Sequence, residues 1–386
     1  MEKSVAIICE FQLFGNNNAA SVRIFNYAQA LSKDGMRVFL LSLKDYYMKD
    51  NLVELSTRTW GFRGGKPSNV GIRDFFNKLT LLVTEEHLQG ILFYPSPNPK
   101  FELCFLWWKY RNHFKNVFCE INEVRFYEQT YVNSFTPFKR IIYKFVTKNS
   151  ENLTRYYRGL VCISENIRDY FSKYNTNSII IPILSDISNE FPEKKICKKE
   201  LVRFVFTGNV AIEKENLVEL FKGLYLFDKE YTSWELLMYG PILDSNRKII
   251  NDILQKLKLN NKIHLMGEVM HSQIFNILHN ADCLILPRRN TKQNYYGFST
   301  KLSEYAVSGT PIILTDSGVV FNYFRDGKDC LKVEGYEASG FYIQFLRFTK
   351  MTAIQRQDLA KEAYQTAKKN FDWRLYSKTL SDFLTQ

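Results

Sequence analysis

The polar and apolar positions of the first forty residues predict a strand, a helix and a second strand. Residues 5–10 are mostly apolar, residues 19–32 carry the apolar repeat of a helix, and residues 36–42 are apolar again. The glycine of Lys33-Asp34-Gly35 ends the helix, as glycine commonly does. This order is the βαβ unit from which parallel sheets are built.

Alternation of the same kind continues along the chain. Further strands are predicted at residues 90–94, 116–121, 159–164 and 178–182, and then at 202–208, 234–239, 263–266, 283–287 and 311–315. Helical stretches separate most of these strands, which favours doubly wound parallel sheets. Between residues 187 and 200 the composition shifts to serine, asparagine, proline and charged residues, which indicates a linker. The pattern therefore predicts an α/β protein with two Rossmann-like halves, whose ligands bind at the carboxyl ends of strands in the cleft between them.

Length and composition agree with two ordinary globular domains. A chain of 386 residues exceeds what one hydrophobic core usually serves, and its 45% hydrophobic and 24% charged residues argue against disorder. Seven scattered cysteines without a CxxC pair suit a reduced interior. The N-terminus lacks the pattern of a signal peptide, and no apolar run reaches the length of about 18 residues that a membrane span needs. We therefore expect a cytoplasmic protein, either soluble or peripheral on the inner face of the membrane.

A net charge of +12 calls for an anionic partner. Nucleic acid, an anionic membrane surface and phosphate-bearing substrates are the candidates. The sequence shows no zinc-ligand spacing, helix-turn-helix pattern or RNP-like aromatic signature, so nucleic acid is not expected. The five histidines are dispersed, and no His/Cys/Asp cluster has the spacing of a metal site.

The sharpest local signal lies in residues 294–313. Gly297 lets a backbone approach closely, and Ser299 or Thr300 is predicted to cap the helix that follows. A helix N-terminus binds phosphate through its free N–H groups and its dipole. Glu304 would lie about 7 Å farther along the helix, where a carboxylate can accept hydrogen bonds from two ribose hydroxyls.

This segment resembles the signature of glycosyltransferase family 4, in which a glycine-containing loop and a helix bind the donor diphosphate and a glutamate binds the ribose. The resemblance covers residues 200–373 strongly and residues 1–190 more loosely. Motifs that fall in the family's order and approximate spacing are Phe206-Thr207-Gly208-Asn209, Glu213-Lys214, residues 237–241, 263–267, 281–287, 316–318 and 325–327, and Phe371-Asp372-Trp373.

The resemblance implies the GT-B fold, with two Rossmann-like domains facing across a cleft. Residues 1–190 would bind the acceptor, residues 200–365 the nucleotide-sugar, and residues 366–386 would form a C-terminal helix crossing back to the first domain. The implied activity is retaining, metal-independent transfer from a UDP- or GDP-sugar, a co-substrate, with no cofactor. The acceptor would be a saccharide or a lipid-linked saccharide in bacterial surface polysaccharide biosynthesis.

The donor site that the resemblance implies consists of Gly15, Gly208, Asn209, Lys214, Arg288, Gly297, Phe298, Ser299 and Glu304. Gly208 and Lys214 match the family's phosphate-binding loop and its lysine, and Glu304 matches the ribose glutamate. From the residues alone, Lys214 could equally be a surface lysine, and Glu304 a solvent-facing glutamate paired with Lys301.

Two departures from the family pattern weaken the implied site. Tyr296 stands where many members have an acidic residue that contacts the transferred sugar, and Asn209 replaces a common phosphate-binding arginine. Arg288 and Arg289 follow a predicted strand, and they either restore the missing positive charge or are solvated loop residues.

The family often carries a histidine after the fourth strand of its first domain, and Asn122 or Glu123 occupies that region here. Together with Lys214 they are the catalytic candidates. No general base is required, since the donor phosphate is thought to assist deprotonation of the acceptor. Arg23 would either meet phosphate or acceptor, or pair with a surface carboxylate. His271 would lie near the base-binding strand end or in an exposed loop.

Residues 136–148 predict an amphipathic helix. Its apolar face holds Phe138, Ile141, Ile142 and Phe145, and Lys139, Arg140, Lys144 and Lys148 flank that face. We expect the apolar face to cover the sheet of the first domain and the basic rim to remain free for lipid headgroups. Docking of the whole face on an anionic membrane is the alternative.

Two other functions fit the same fold. One is a GT-B nucleotide-sugar epimerase, which would need more acidic and histidine groups than the sequence offers. The other is a non-catalytic GT-B scaffold that binds a nucleotide-sugar or a partner transferase, and Tyr296, Asn209 and Asn122 motivate it.

Overall fold

The computed structural model describes residues 3–14, 18–46, 52–62, 71–96, 99–128, 136–194 and 201–386. The chain forms two compact units, each built on its own sheet. The first unit comprises Met1–Phe126, Phe135–Asp186 and Asp372–Gln386, and the second comprises Tyr127–Ser134 and Ile187–Phe371. The linker predicted at residues 187–200 thus begins at the boundary between the two units, and its residues belong to the second unit.

The first unit holds an eight-stranded sheet. Its strands are β1 (Ser4–Cys9), β2 (Arg37–Ser42), β3 (Val53–Ser56), β4 (Thr59–Gly61), β5 (Leu88–Tyr94), β6 (Val117–Ile121), β7 (Gly159–Cys162) and β8 (Ser178–Ile180). They lie in the order β3-β4-β2-β1-β5-β6-β7-β8, and among these described strands only the β3–β4 pair is antiparallel. All residues of β1 and β6 are buried, which explains their nearly continuous apolar sequence.

Helices separate most of the strands of the first unit. They are α1 (Ala19–Lys33), α2 (Ile72–Glu85), α3 (Pro99–Arg111), α4 (Pro137–Leu153) and α5 (Glu165–Phe171). Asn18 caps α1, because its side-chain oxygen accepts a hydrogen bond from the Ser21 amide at 2.9 Å. The helix then continues to Lys33, one residue beyond its predicted end.

The second unit holds six parallel strands. They are β9 (Val202–Thr207), β10 (Trp234–Tyr239), β11 (Ile263–Gly267), β12 (Cys283–Leu286), β13 (Ile312–Thr315) and β14 (Leu331–Val333), in the sheet order β11-β10-β9-β12-β13-β14. Counted within this unit the order is 3-2-1-4-5-6, that of a doubly wound Rossmann sheet. The strand order reverses between β9 and β12, and ligands of such sheets bind at that point.

The helices of the second unit cover its core of buried aromatic and aliphatic residues. They are α6 (Leu217–Asp228), α7 (Asp244–Leu257), α8 (His271–Asn280), α9 (Lys292–Tyr296), α10 (Lys301–Val307), α11 (Val320–Tyr323), α12 (Ala338–Lys350) and α13 (Ala353–Asn370). The chain then returns to the first unit through a 3-10 turn, Trp373–Tyr376, and α14 (Ser377–Leu384), which packs on α1. The helix predicted over residues 366–386 is therefore two helices with a break.

Every strand predicted from the sequence is present, with ends shifted by at most two residues. The sequence missed β3, β4 and β14. Each of these has only three or four residues, too few for a periodic pattern to register. No helix within the described ranges is long and apolar enough to cross a membrane.

The expected burial of the amphipathic helix is wrong. Phe138, Ile141, Ile142 and Phe145 of α4 are exposed by 72%, 68%, 47% and 71%, whereas Thr147 and Glu151 of the same helix are buried. The helix therefore packs on its own unit through polar residues and presents its apolar face outward.

Candidate active site

Two predicted donor residues lie at the strand-order reversal of the second unit. Gly208 directly follows β9, and Arg288 lies two residues after β12. Because β9 and β12 are parallel neighbours, their carboxyl ends meet at one edge of the sheet. The backbone of Arg288 also pairs with that of Glu215, which brings the loop after β9 beside the loop after β12.

Glu215, Arg288 and Lys301 form a buried ionic group, called here the Glu215 cluster. Glu215 Oε1 lies 3.0 Å from Lys301 Nζ and 3.0 Å from Arg288 Nη1. The exposed fractions of the three side chains are 1%, 15% and 8% for Glu215, Lys301 and Arg288. Arg288 Nη2 donates a hydrogen bond to Ser299 Oγ at 2.6 Å. Arg288 Nη1 and Glu215 Oε2 find no hydrogen-bond partner among the described residues.

The Glu215 cluster carries unbalanced positive charge, since two cations share one carboxylate. Burial raises the pKa of Glu215, but Arg288 and Lys301 outweigh it, so the pKa lies below its usual value. Burial lowers the pKa of Lys301 to about 8, although Glu215 opposes this. A bound anion would neutralise the excess positive charge of the cluster. It would also compensate the two cations for the hydration that they lose through burial. Over the described ranges no three His, Cys, Asp or Glu side chains form a group that could hold a metal ion.

Gly208 gives Lys301 its position. Its φ of +114° lies in the region that favours glycine, and a β-carbon at this residue would overlap Cε and Nζ of Lys301. Lys301 Nζ also lies 4.3 Å from the centre of the ring of Phe206, a residue near the end of β9. The lysine ammonium is therefore held directly over the backbone of the loop that the resemblance assigns to phosphate.

Gly208→Ala is expected to weaken binding of UDP or GDP by at least about tenfold, because the new methyl group displaces Lys301 from Glu215. Isothermal titration measures the affinity. Gly267→Ala is the matched control, since Gly267 also has a positive φ, +79°, but a β-carbon there would meet no atom within 4 Å. An equal loss of affinity in both variants would show that backbone strain alone, and not contact with Lys301, explains the effect.

The helix predicted after Gly297 begins at Lys301, and the predicted capping is wrong. Thr300 occupies the N-cap position, but its side chain makes no capping hydrogen bond. The Ser299 hydroxyl instead accepts the hydrogen bond from Arg288. Ser299 therefore links the start of α10 to the Glu215 cluster.

Glu304 lies in the first turn of α10 and pairs with His271, the first residue of α8. Their Oε1 and Nε2 atoms are 3.7 Å apart, and both side chains are partly exposed. The hydrogen bond and charge of Glu304 raise the pKa of His271. The alternative that Glu304 pairs with Lys301 is wrong, since Lys301 bonds to Glu215. His271 is thus placed beside the carboxylate that the resemblance assigns to ribose.

Lys214 borders the Glu215 cluster, whereas Asn209 and Arg289 lie outside it. The charge of Lys214 acts on both Glu215 and Lys301. Arg289 is exposed and donates a hydrogen bond to the carbonyl of Ile212 at 3.1 Å. Asn209 is exposed as well. Of the two arginines considered for the missing positive charge, Arg288 is therefore the one that lies in the cluster.

Gly297 and Phe298, the loop residues predicted to bind the donor, make close contacts within the protein. Gly297 has an ordinary φ of −81°, and the close backbone approach is made by Gly318, with a φ of +60°, whose added β-carbon would lie 3.0 Å from the Gly297 carbonyl. The Phe298 side chain is 7% exposed and packs on Tyr323 and Phe371. A nucleotide-sugar donor could therefore contact these two residues only through their backbone atoms. Gly15, the remaining predicted donor residue, lies outside the described residues.

Tyr296, which stands in place of an acidic residue, takes part in an aromatic stack. Its ring lies parallel to that of Tyr127, with centroids 5.5 Å apart and an interplanar angle of 9°. Lys292 Nζ lies 5.0 Å from the Tyr127 ring. Tyr296 therefore offers an aromatic surface here instead of a carboxylate.

The catalytic candidates Asn122 and Glu123 follow β6 in the first unit. Asn122 Nδ2 donates a hydrogen bond to the Tyr94 hydroxyl at 2.6 Å. The Glu123 side chain is 47% exposed and lies 3.9 Å from Arg125 Nε. Both residues border a small cavity of about 40 Å³. The structure brings these two together, while Lys214, the third candidate, belongs to the second unit.

Neither role predicted for Arg23 is correct. Its Nε bonds to Glu120 Oε1 at 2.6 Å, and its two Nη atoms bond to the carbonyls of Ile181 and Pro182. The exposed fractions of the Arg23 and Glu120 side chains are 4% and 0%. Arg23 therefore forms a buried structural ion pair and contacts no surface carboxylate.

Glu215 and Lys301 were not predicted as site residues from the sequence. One signal was available for Lys301, because a lysine at the first position of a helix is opposed by the helix dipole and requires another partner. The sequence carries no such signal for Glu215, because nothing in the run Glu213-Lys214-Glu215 distinguishes the buried Glu215 from Glu213. Tyr305 was also missed; its hydroxyl accepts a hydrogen bond from the Thr207 amide and supports the end of β9.

Comparison with known families matches the part of the chain that contains the Glu215 cluster. The family described as "Glycosyl transferases group 1" matches residues 202–350. A curated relative, the 2-deoxystreptamine N-acetyl-D-glucosaminyltransferase of Niallia circulans, is 24% identical over 169 residues, which are 44% of this chain and 40% of the relative. The chain thus matches about two fifths of that relative's length.

Solved structures resemble the chain over its whole length. Sucrose-phosphate synthase from Thermosynechococcus elongatus has a TM-score of 0.71 at 12% identity, with 99% of this chain and 98% of that chain covered. A glycosyltransferase from Rickettsia africae has a TM-score of 0.70 at 14% identity, with 100% and 99% covered. Anabaena HepE, in complex with UDP and glucose, has a TM-score of 0.68 at 12% identity, with 100% of both chains covered. These likenesses confirm the predicted GT-B fold. The family match and the curated relative support a glycosyltransferase. Family 4 in particular stays a prediction.

Proposed function

We propose that this protein is a retaining glycosyltransferase that moves a sugar from a UDP- or GDP-sugar to a saccharide acceptor without a metal ion. The observation that carries the proposal is the unbalanced positive charge of the Glu215 cluster at the strand-order reversal of the second unit. A diphosphate is an anion whose charge would complement it. The match of residues 202–350 to a glycosyltransferase family supports the same assignment.

The proposed role of the cluster is to stabilise the leaving group. When the bond between the sugar anomeric carbon and the diphosphate oxygen breaks, its electron pair stays on the diphosphate. Arg288 and Lys301 would bind the negative charge that develops there, a task that a metal ion performs in other enzymes. The acceptor hydroxyl oxygen bonds to the anomeric carbon on the same face, and its proton passes to the departing phosphate oxygen. In this scheme the protein mainly positions the reactants, so neither Asn122 nor Glu123 must act as a base.

The proposed nucleotide contacts are Glu304 for the ribose and Lys214 for the phosphates. Glu304→Ala and Lys214→Ala are each expected to weaken donor binding by about 1 to 3 kcal/mol, through loss of charge-assisted hydrogen bonds. Isothermal titration with UDP and GDP measures both. Glu362→Ala is a matched control for Glu304, because Glu362 is a half-exposed helical glutamate with its own cationic neighbour, Lys328, at 3.5 Å. Unchanged titration curves for Glu304→Ala and Lys214→Ala would remove these two assignments.

The proposed acceptor is a lipid-linked saccharide in the assembly of a bacterial surface polysaccharide, and the protein would work in peripheral contact with an anionic membrane. The net charge of +12 and the outward apolar face of α4 support a site of action at a membrane. The name of the Niallia circulans relative describes transfer of N-acetyl-D-glucosamine, which supports a hexose-type donor sugar here.

A second candidate is a scaffold that binds a nucleotide-sugar without turnover. The stack of Tyr296 on Tyr127 favours it, because an aromatic ring stands where the resemblance implies a carboxylate for the transferred sugar. Incubation with a panel of UDP- and GDP-sugars separates the two functions. Transfer or slow hydrolysis of one donor supports the transferase. Binding of a donor without any product supports the scaffold, and a sugar isomer as product would indicate an epimerase instead.

A further inference from the structure

Helix α4 is attached to the first unit by its polar face. Thr147 and Glu151 are each 5% exposed, and the Glu151 carboxylate accepts a hydrogen bond from the Tyr170 hydroxyl at 2.9 Å. Phe138, Ile141 and Phe145 recur at spacings of three and four residues, so they share one face of the helix. That face lies about half a turn from the face that carries Thr147 and Glu151. An ordinary surface helix buries its apolar stripe in the core. Since α4 does the reverse, its apolar stripe requires a partner outside the described chain.

Helix α3 carries a second outward apolar stripe. Leu103, Trp107 and Tyr110 are spaced four and three residues apart and are exposed by 52%, 62% and 74%. The two helices are neighbours in the first unit, because Glu102 of α3 and Glu151 of α4 line the same small cavity. The exposed apolar side chains therefore lie on two adjacent helices, and several of them are aromatic.

Both helices carry basic residues on their outward surface. The exposed ones are Lys100 and Arg111 on α3 and Lys139, Arg140, Lys144 and Lys148 on α4. Lys109 is half-buried and donates a hydrogen bond to the Tyr156 carbonyl, and Lys148 pairs with Glu151 at 3.6 Å. Over Pro99–Arg111 and Pro137–Leu153, which are described in full, the only acidic residues are Glu102 and Glu151, and both are buried. The two helices thus combine exposed apolar and aromatic side chains with positive charge.

We propose that α3 and α4 form a membrane-docking surface whose partner is a bilayer containing anionic lipid. Phe138, Ile141, Ile142 and Phe145 would enter the boundary between headgroups and acyl chains, and the flanking lysines and arginines would bind lipid phosphates. A second copy of this chain fits less well, because it would bring two sets of basic residues together without acidic partners. The purpose of docking rests on the proposed function, since a lipid-linked acceptor must be reached at such a surface.

Vesicle flotation of the full chain tests this docking surface. The unaltered protein is expected to float with vesicles of phosphatidylcholine containing about 30% phosphatidylglycerol, and to bind pure phosphatidylcholine at least about tenfold more weakly. The triple variant Phe138→Ser/Ile141→Ser/Phe145→Ser is expected to lose at least about tenfold in affinity for the anionic vesicles. Lys139→Ser and Lys144→Ser are each expected to lose about fivefold, an effect that salt diminishes.

The matched control replaces three apolar residues on other helices that are likewise more than half exposed, Leu81→Ser/Ile343→Ser/Ile354→Ser, and is expected to bind vesicles like the unaltered protein. Absence of vesicle binding, equal binding to both vesicle types, or an unaffected Phe138/Ile141/Phe145 variant would overturn the proposal. Light scattering gives a further check. If the unaltered protein were a dimer and the Phe138/Ile141/Phe145 variant a monomer, the face would belong to a second copy of the chain, and the proposal would be overturned too. Thermal shifts with UDP and GDP separate the two proposals: if no nucleotide binds while vesicles still do, the proposed function fails and the docking surface stands.

Discussion

Lys301→Met is expected to lower kcat/KM for sugar transfer by about 100- to 1000-fold, the loss typical of removing one group that stabilises a developing negative charge. The reason lies in the charge count of the Glu215 cluster. Without Lys301 the remaining Arg288 and Glu215 neutralise each other, so the cluster itself has no excess positive charge for a diphosphate, and only the neighbouring Lys214 remains. Methionine has about the length of the lysine stem and fills the space over Gly208. The measurement uses the donor sugar identified from the panel of nucleotide-sugars.

Lys222→Met is the control for this experiment. Lys222 is an exposed lysine of α6 in the same unit, and its Nζ lies 2.7 Å from Glu219 Oε1, so the variant also breaks an ion pair. Its activity is expected to stay within about twofold of that of the unaltered protein, since exposed ion pairs contribute little. If Lys301→Met retained full activity, the Glu215 cluster would be a structural ion group and the proposed role in leaving-group stabilisation would be lost.

The pH dependence of donor binding follows from the same lysine. The pKa of Lys301 is lowered to about 8 by burial, so the ammonium is mostly charged at pH 7 and loses its proton as the pH rises through 8. Donor affinity is therefore expected to fall with rising pH above about 8, by at most about tenfold per pH unit for one proton. Isothermal titration between pH 7 and 9 measures this. Lys301→Met should show a weaker affinity that no longer changes in that range.

Much of the second unit could be predicted because its strands are buried on both faces and its loops match a family motif at fixed spacing. The partners of Lys301 could not be predicted in the same way. Its hydrogen bond joins residues 86 positions apart, Lys301 and Glu215, and depends on the neighbouring positions of β9 and β12 in the sheet. Sequence reasoning offered a local partner, Glu304, which lies within one helical turn. The structure shows that Glu304 pairs with His271 instead.

Helix α4 shows a different limit of sequence reasoning. The positions of Phe138, Ile141, Ile142 and Phe145 correctly predicted one apolar face, but periodicity does not say on which side the protein lies. The usual choice, apolar side inward, failed because the buried Glu151 finds a hydrogen-bond partner, Tyr170, on the protein side, while the buried Thr147 hydroxyl donates to the Tyr143 carbonyl of its own helix. Buried polar residues with partners can thus replace an apolar contact, and only the structure reveals it.

Glu120→Ala is expected to destabilise the first unit by about 3 to 5 kcal/mol, the usual loss when one partner of a buried ion pair is removed. The Glu120 carboxylate lies on β6, where it accepts hydrogen bonds from Arg23 Nε at 2.6 Å and from the Tyr27 hydroxyl at 2.7 Å. Without it, the Arg23 cation stays buried among backbone carbonyls with no counter-charge. Thermal unfolding followed by circular dichroism is expected to show a midpoint lower by about 10 °C.

Glu123→Ala separates this structural effect from catalysis, because Glu123 is only three residues away but is half-exposed. Its unfolding midpoint is expected to stay within about 1 °C of that of the unaltered protein, so any loss of kcat would report a role in the reaction. The double variant Arg23→Met/Glu120→Leu removes both charges from the interior, and it is expected to recover part of the stability that Glu120→Ala loses. Recovery would show that the uncompensated Arg23 charge destabilises the single variant. If the double variant were less stable than Glu120→Ala, the bonds of Arg23 to the carbonyls of Ile181 and Pro182 would be the larger contribution.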